Sequence, residues 1–342
     1  MVRLLLSLSA AALLTLLVTA CTTAPLEEPS PGYAPEFEIQ GLVWRTIAYY
    51  YHPGIYREMY NPESTARLLS KAKSVGANYL LVRAFYSGTA DGRLVGDTEE
   101  AERYLRQAIA AAHGQGFKVF LTPFIESMEF WPERKWHLSA SRWTGIVLHW
   151  AQFAEENRVE LFAPGFEMAL ILDPPEAKEW FRDILPQIRA VYSGQVAFAE
   201  IPYGEPWELL DEARVFAGYD AAGITIFPWQ DYDGVHDMRS SDDLKKHVAE
   251  QARRLVELGQ RYNTDFQFVA TLGIDIWHGE EPDPATRAEA YGTCLEVLKQ
   301  YRVAGVFIHK WASEPDHLGN SPAVENMLRA RWAQPAGHGQ AP

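Results

Sequence analysis

The chain has 342 residues, a formal net charge of -14 at pH 7, and 11 tryptophans. This acidic balance, with no Lys- and Arg-rich helix face to offset it, argues against nucleic acid as a partner. Two cysteines cannot build a disulfide framework, so the stability of the fold has to come from a hydrophobic core.

The N-terminal 21 residues have the pattern of a bacterial lipoprotein signal peptide. Arg3 precedes an apolar run that closes on Val18-Thr19-Ala20-Cys21, and this run is too short to span a bilayer comfortably. We therefore expect residues 1–21 to be the signal and Cys21 to be lipidated, which places the protein outside the cytoplasm on a bacterial membrane. Residues 22–37 are rich in Pro, Glu, Ser and Thr and are predicted to form a flexible tether.

Beyond the tether, short apolar or β-branched runs alternate with longer segments of helical spacing. Eight strands are predicted: Leu42–Tyr49, Tyr79–Phe85, Lys118–Phe124, Glu160–Phe166, Val196–Ile201, Gly223–Phe227, Phe266–Thr271 and Gly305–His309. Asn61-Pro62-Glu63 predicts a capped helix start, and Gly76, Gly114 and Gly116 are expected to close helices in the left-handed conformation. Cys294 lies at an apolar position of a predicted helix and is expected to be a buried structural thiol.

Eight evenly spaced units predict an α/β fold, a single (β/α)8 TIM barrel over residues 38–332, followed by a disordered tail at residues 333–342. A doubly wound open sheet also alternates strands and helices and is the structural alternative. No G-x-G-x-x-G follows any strand, and the histidines lack H-x-H or H-x-x-x-H spacing. We therefore expect neither a cofactor nor a bound metal.

Carboxylates follow several of the predicted strands, at the end of a barrel where active sites are built. The catalytic candidates are Glu167, Glu200, Asp231 and Asp275, which lie at or just after the ends of strands four to seven. A carboxyl pair of this kind is needed for glycoside hydrolysis, because one group protonates the leaving oxygen while the other attacks or stabilises the sugar centre. Glu167 is the main candidate for the acid, because it follows an apolar strand with no obvious cation nearby and burial raises a carboxyl pKa.

Aromatic side chains are also concentrated at the predicted active end, where Trp and Tyr rings offer flat faces to sugar C–H surfaces. The predicted substrate-binding set is Arg83, Tyr50, Tyr86, Glu126, Tyr203, Trp207, Trp229, Trp277, His309 and Trp311. Arg83 interrupts an apolar strand, where a guanidinium is suited to hold a carboxylate ionised. A structural salt bridge is the alternative for Arg83.

Five segments carry a resemblance to a known family: Gly76–Arg83, Ala108–Pro123, Trp180–Ala199, Tyr219–Pro228 and Gly305–Trp311. They are similar to the mannanase-containing family 113 of the clan A glycoside hydrolases. The resemblance implies a TIM barrel, a carbohydrate substrate, and Glu167 as the acid/base residue at the end of strand four. It also implies a glutamate nucleophile at the end of strand seven, where this chain has Thr271.

Thr271 leaves the second catalytic group open, because a threonine hydroxyl is a poor nucleophile without an adjacent base. Asp275, four residues further on, can reach back into the site. Glu200 or Asp231 can instead hold a water opposite Glu167, which gives inversion. In the third case no second catalytic group exists and the barrel only binds glycan.

These patterns together predict an exported, lipid-anchored glycoside hydrolase that acts on a polysaccharide or oligosaccharide at the cell surface. The alternative is a non-catalytic carbohydrate-binding lipoprotein derived from such an enzyme. A barrel aldolase or phosphate-handling enzyme fits less well, because strand six carries no Schiff-base lysine and no Gly-rich loop follows strands seven and eight. Only Lys310 favours that class. Membrane contact is expected through the lipidated Cys21 alone.

Overall fold

The computed structural model describes residues 37–44, 54–88, 94–96, 98–126, 140–168, 174–202, 204–228, 241–274, 283–309 and 321–332. Its strands are β1 Ile39–Val43, β2 Tyr79–Gly88, β3 Leu94–Val95, β4 Lys118–Glu126, β5 Leu161–Phe162, β6 Gln195–Glu200, β7 Ala221–Ile226, β8 Phe266–Leu272 and β9 Gly305–Ile308. Its helices are α1 Ile55–Tyr60, α2 Pro62–Ser74, α3 Thr98–Gly114, α4 Ala140–Glu156, α5 Pro174–Val191, α6 Gly204–Glu212, α7 Ser241–Tyr262, α8 Pro284–Gln300 and α9 Pro322–Trp332.

The strands form one closed barrel. All of them except β3 run parallel in chain order, and β1 pairs with β2 on one side and with β9 on the other. The short β3 pairs antiparallel with the end of β2. This closure confirms the predicted (β/α)8 barrel and excludes the open sheet. The eight predicted strands correspond, in order, to β1, β2 and β4 to β9.

Local signals explain where several helices begin and end. The side chain of Asn61 accepts a hydrogen bond from the N–H of Ser64 at 2.9 Å and caps α2, and Pro62 fills the first helical position. Gly76 and Gly116 have φ angles of 85° and 86°, so they adopt the left-handed conformation expected of helix-closing glycines. Gly114 differs from the prediction, because it is the last residue of α3 and has no positive φ.

A cluster of phenylalanine rings fills the barrel interior. The ring of Phe120 lies 5.7 Å from that of Phe268, 5.4 Å from Phe307 and 6.1 Å from Phe166, measured between centroids. Small side chains on the facing strands make room for these rings, namely Ala197, Ala199, Ala221 and Ala270. The interior is therefore a packed core, as in other barrels of this size, and the working surface has to lie above it.

Polar side chains close the end of the barrel where the strands begin. Three residues placed just before a strand each accept a backbone N–H of the preceding barrel strand at 2.6–2.8 Å: Asn78 from Gln40, Glu160 from Val119, and Asp220 from Val196. A cavity of about 330 Å³ opens among Glu160, Asp220 and their neighbours. Because these carboxylates are committed to the barrel backbone, we assign this end to stability.

Candidate active site

The candidate active site lies at the end of the barrel formed by the C-terminal ends of the strands. There the last inward-facing side chain of each strand borders the opening. Alternate residues of a strand point to opposite sides, so Arg83 shares the interior face of β2 with Tyr79 and Leu81. By the same rule Thr225 shares the interior face of β7 with Ala221. Together with Glu167 after β5 and Thr271 on β8, these residues form what we call the mouth cluster: Arg83, Glu167, Thr225 and Thr271.

Glu167 is held in a conformation that few non-glycine residues adopt. Its φ is 58°, and its N–H donates to the carbonyl of Ala199 on β6 at 3.3 Å. The chain turns closely before Glu167, and only glycine fits at position 165. A Cβ on Gly165 would lie 2.4 Å from the side chain of Met168. Backbone conformations of this kind tend to be kept at functional positions, where surrounding contacts enforce them.

The carboxyl of Glu167 is enclosed, although the residue as a whole is only partly buried. Desolvation raises its pKa above the usual value for glutamate, while the nearby Thr225 hydroxyl and the positive charge of Arg83 act in the opposite direction. A carboxyl whose pKa is raised keeps its proton at a higher pH, as a general acid requires.

Arg83 lies on top of the phenylalanine cluster. The residue is 3% exposed, and the guanidinium carbon lies 4.4 Å from the ring centroid of Phe124 and 5.3 Å from that of Phe166. Its Nη2 donates to the Thr271 hydroxyl at 3.4 Å. The cation is therefore fixed by aromatic faces below it and by a hydroxyl beside it, within electrostatic reach of Glu167.

A local irregularity directs Thr271 into the site. β8 contains one extra residue between Val269 and Leu272 relative to both neighbouring strands. Such a bulge changes the direction of the side chains beside it. As a result Ala270 joins the interior core while Thr271 faces Arg83, and Thr225 becomes the register partner of Thr271.

Glu200 does not face the mouth cluster, which corrects its prediction as a second catalytic carboxylate. On β6 the interior residues are Ala197 and Ala199, so Glu200 shares the outer face with Phe198. Glu200 is 1% exposed, and its charge adds to the effect of burial in raising the pKa of Tyr219. Tyr219 itself packs against Phe198 under the helices. Glu200 therefore lies between the barrel and its helices.

Tyr86 and Trp207 are also packing residues, contrary to the predicted contact with sugar. The Tyr86 hydroxyl accepts a hydrogen bond from the indole N–H of Trp150 at 2.7 Å, because its position on β2 faces outward into the helix layer. Trp207 on α6 is 8% exposed and its ring lies 5.1 Å from that of Phe216. Both side chains are buried against other aromatic rings, Tyr86 against Trp143 and Trp207 against Phe216.

His309 follows β9, and its ring packs edge-to-face on Phe227 at 5.1 Å with 7% of the residue exposed. Glu126 is the last residue of β4, in register with Ser87.

The other predicted residues lie outside the described part of the chain: Cys21, Tyr50, Tyr203, Trp229, Asp231, Asp275, Trp277, Lys310 and Trp311. Sequence reasoning missed Thr225, because every residue of β7 is buried and the sequence of that strand does not mark its inner face.

Within the described ranges, no cluster of three or more His, Cys, Asp or Glu side chains could hold a metal ion. Over the same residues, no helix combines the length and apolar character needed to cross a membrane. Cys294 is fully buried in α8, as expected for a structural thiol.

The chain is similar to known proteins in sequence and in fold. A sequence model of Glycoside Hydrolase Family 113 matches residues 51–323. A search of curated proteins found no significant match. Among solved structures, a GH113 β-1,4-mannanase aligns with a TM-score of 0.65 and 16% identity, over 87% of this chain and 99% of that one.

Two further solved structures show the same architecture. A GH113 β-mannanase from Alicyclobacillus acidocaldarius gives a TM-score of 0.61 at 14% identity, over 87% of this chain and 97% of that one. An endo-β-1,4-mannanase from Thermotoga petrophila gives 0.57 at 12% identity, over 88% and 77%. At these identities the structural likeness shows the shared barrel fold.

Proposed function

This chain belongs to Glycoside Hydrolase Family 113, and on that premise we propose that it hydrolyses glycosidic bonds in a polysaccharide with Glu167 as the acid/base residue. The observation that carries the proposal is the enclosed carboxyl of Glu167 at the barrel mouth, with a pKa raised by desolvation. Such a group can protonate the leaving glycosidic oxygen. Because two of the structural relatives are named as GH113 β-mannanases, β-1,4-linked mannan is the first substrate to test.

The second catalytic group is proposed to be Asp275 or Asp231. Glu200 is a weaker candidate because it shares the outer face of β6 with Phe198, and Thr271 offers a hydroxyl that lacks a base among its described contacts. A carboxylate that activates water gives an inverted product, whereas one that attacks the sugar directly gives retention. The anomeric configuration of the first product, followed by NMR, therefore identifies which chemistry the second group performs.

The test is the release of reducing ends from a panel of polysaccharides by the wild type and by Glu167→Gln. We expect Glu167→Gln to lower kcat by about 10²- to 10⁴-fold, the usual contribution of acid–base catalysis, while substrate binding persists. Glu155→Gln is the matched control, because Glu155 is an exposed glutamate that bonds Ser193 on the outside of the barrel. Full activity in Glu167→Gln would refute the assignment.

A specific contact favours a second candidate function, that of a carbohydrate-binding protein without turnover. Arg83 donates to Thr271, at the position where the family resemblance implies a glutamate nucleophile. If the wild type binds a polysaccharide in affinity electrophoresis but releases no product over prolonged incubation, the binding function is correct and the hydrolase proposal is wrong.

We further propose that the protein is exported and anchored to a bacterial membrane through a lipidated Cys21. The support is the run from Arg3 to Cys21 and the tether that follows it. An anchor of this kind would hold the barrel near polymers at the cell surface. Labelled palmitate should be incorporated by the wild type and not by Cys21→Ser, and equal incorporation by both would refute the anchor.

A further inference from the structure

Thr225 places a buried hydroxyl in the mouth cluster, and nothing in the sequence pattern or the family resemblance assigns it a role. The residue is fully buried, and its side chain lies on the interior face of β7. Its Oγ1 makes no hydrogen bond of regular geometry among the described residues, and the Glu167 carboxyl is a polar group close enough to feel it. Buried hydroxyls are normally paired, so a buried hydroxyl without a regular partner beside a carboxyl calls for an explanation.

The backbone brings Glu167 and Thr225 together through a neighbouring strand. The Glu167 N–H is bonded to the carbonyl of Ala199 on β6, and Ala199 is the register partner of Gly223 on β7. Thr225 lies two residues beyond Gly223 on the same face of β7, towards the mouth. The main chain of Glu167 is thus fixed to β6, the strand beside Thr225 on β7. From there the carboxyl of Glu167 comes close to the Thr225 hydroxyl.

We propose that Thr225 is a positioning residue for Glu167, whose carboxyl it holds in one orientation through both protonation states. The hydroxyl donates to the carboxylate when Glu167 is ionised and accepts from the carboxylic acid when Glu167 is protonated. The inference rests on the proposed function, because orientation of this carboxyl affects turnover only if Glu167 exchanges a proton with substrate. Thr225 makes no bond to the reacting atoms in this role.

The charged groups around Glu167 set the direction of the expected effect. Arg83, from β2, lowers the pKa of Glu167 together with Thr225, against the larger effect of desolvation. On the adjacent β6, Glu200 faces the helices, and His309 after β9 packs against Phe227. Removing the Thr225 hydroxyl while Arg83 is retained should therefore raise the pKa of Glu167.

The experiment titrates Glu167 directly in the full-length protein. Carboxyl-labelled glutamate is followed by ¹³C NMR, and the Glu167 signal is identified by its loss in Glu167→Gln. Thr225→Val keeps the shape of the side chain and removes the hydroxyl, and we expect it to raise the Glu167 pKa by about one unit. The conservative Thr225→Ser should restore the wild-type titration. Thr122→Val is the matched control, because Thr122 is an equally buried barrel threonine whose hydroxyl bonds the Pro123 carbonyl.

Turnover provides the second readout. Activity that depends on protonated Glu167 falls as pH rises through its pKa, so Thr225→Val should move this alkaline limb upward and lower kcat about tenfold, with KM little changed. Unchanged Glu167 titration in Thr225→Val would overturn the inference, whether or not the protein is an enzyme. A shifted titration in a protein that hydrolyses no polysaccharide would support the contact and refute the proposed function.

Discussion

A carboxyl kept in a desolvated site should reduce the stability of the folded state, and Glu167→Gln tests this prediction. The unfolded chain has a glutamate pKa near 4.3, and the folded pKa of Glu167 is raised above that value. Below the unfolded pKa both states hold the proton, and the carboxyl costs nothing. As pH rises towards the folded pKa, only the unfolded chain ionises, so stability falls by about 1.4 kcal/mol for each unit that separates the two pKa values.

The assay is chemical and thermal unfolding of the wild type and Glu167→Gln at pH 4 and pH 8. Glutamine cannot ionise, so we expect the variant to be more stable at pH 8 by about 1 kcal/mol or more, and equal to the wild type near pH 4. For a domain of this size that difference corresponds to a rise in Tm of about 2 °C. A variant that is no more stable at pH 8, or equally stabilised at both pH values, would refute the desolvated carboxyl.

Glu155 supplies a control with the opposite sign. The backbone N–H and hydroxyl of Ser193 hold the pKa of this exposed carboxyl below its usual range. Its contribution is therefore present above the unfolded pKa and is lost as pH falls through the folded pKa. Glu155→Gln should be slightly less stable than the wild type at pH 8 and indistinguishable from it at low pH.

Three further predictions concern packing. Burial raises the pKa of the Cys294 thiol far above its usual range, so a thiol reagent should not modify Cys294 until the protein is denatured, and reaction in the native state would contradict its burial. Gly273→Ala should lower stability by about 1–3 kcal/mol, measured by urea unfolding, because the new Cβ would lie 2.0 Å from the Phe227 ring. Gly145→Ala, in the interior of α4 with nothing within 4 Å, should instead raise stability by up to about 1 kcal/mol. Equal changes in the free energy of unfolding for the two variants would show that Gly273 is not crowded as described.

The barrel could be predicted from the sequence because each strand and each helix carries its own local signal. The cap at Asn61 and the glycines at positions 76 and 116 are found where the pattern placed them. The first strand begins at Ile39, three residues before the predicted Leu42. Gln40 and Gly41 break the apolar run, but Gln40 is buried, and Phe307 occupies the space that a Cβ on Gly41 would need.

The faces of the strands could not be predicted in the same way, and this accounts for the errors at Glu200 and Tyr86. A parallel strand in a barrel is buried on both sides, so its sequence lacks the alternation of polar and apolar residues that marks inside and outside. Every residue near a strand end then looks equally suited to the site. The structure supplies the missing information, because Ala199 and Arg83 face the interior and their even-numbered neighbours along the chain do not.

The bulge in β8 determines which side chain faces Arg83, and it therefore bears directly on the identity of the second catalytic group. One extra residue between Val269 and Leu272 places Thr271 against Arg83. No glycine or turn-forming residue within that strand predicts the bulge from the sequence. A hydroxyl there can accept from the guanidinium, but it cannot neutralise its charge or stabilise a developing oxocarbenium ion as a carboxylate would. If the protein is a hydrolase, that negative charge has to come from elsewhere in the chain. Asp231 and Asp275 are the sequence candidates, and product stereochemistry distinguishes their action more directly than rate does, because it depends on whether water or the protein attacks the sugar.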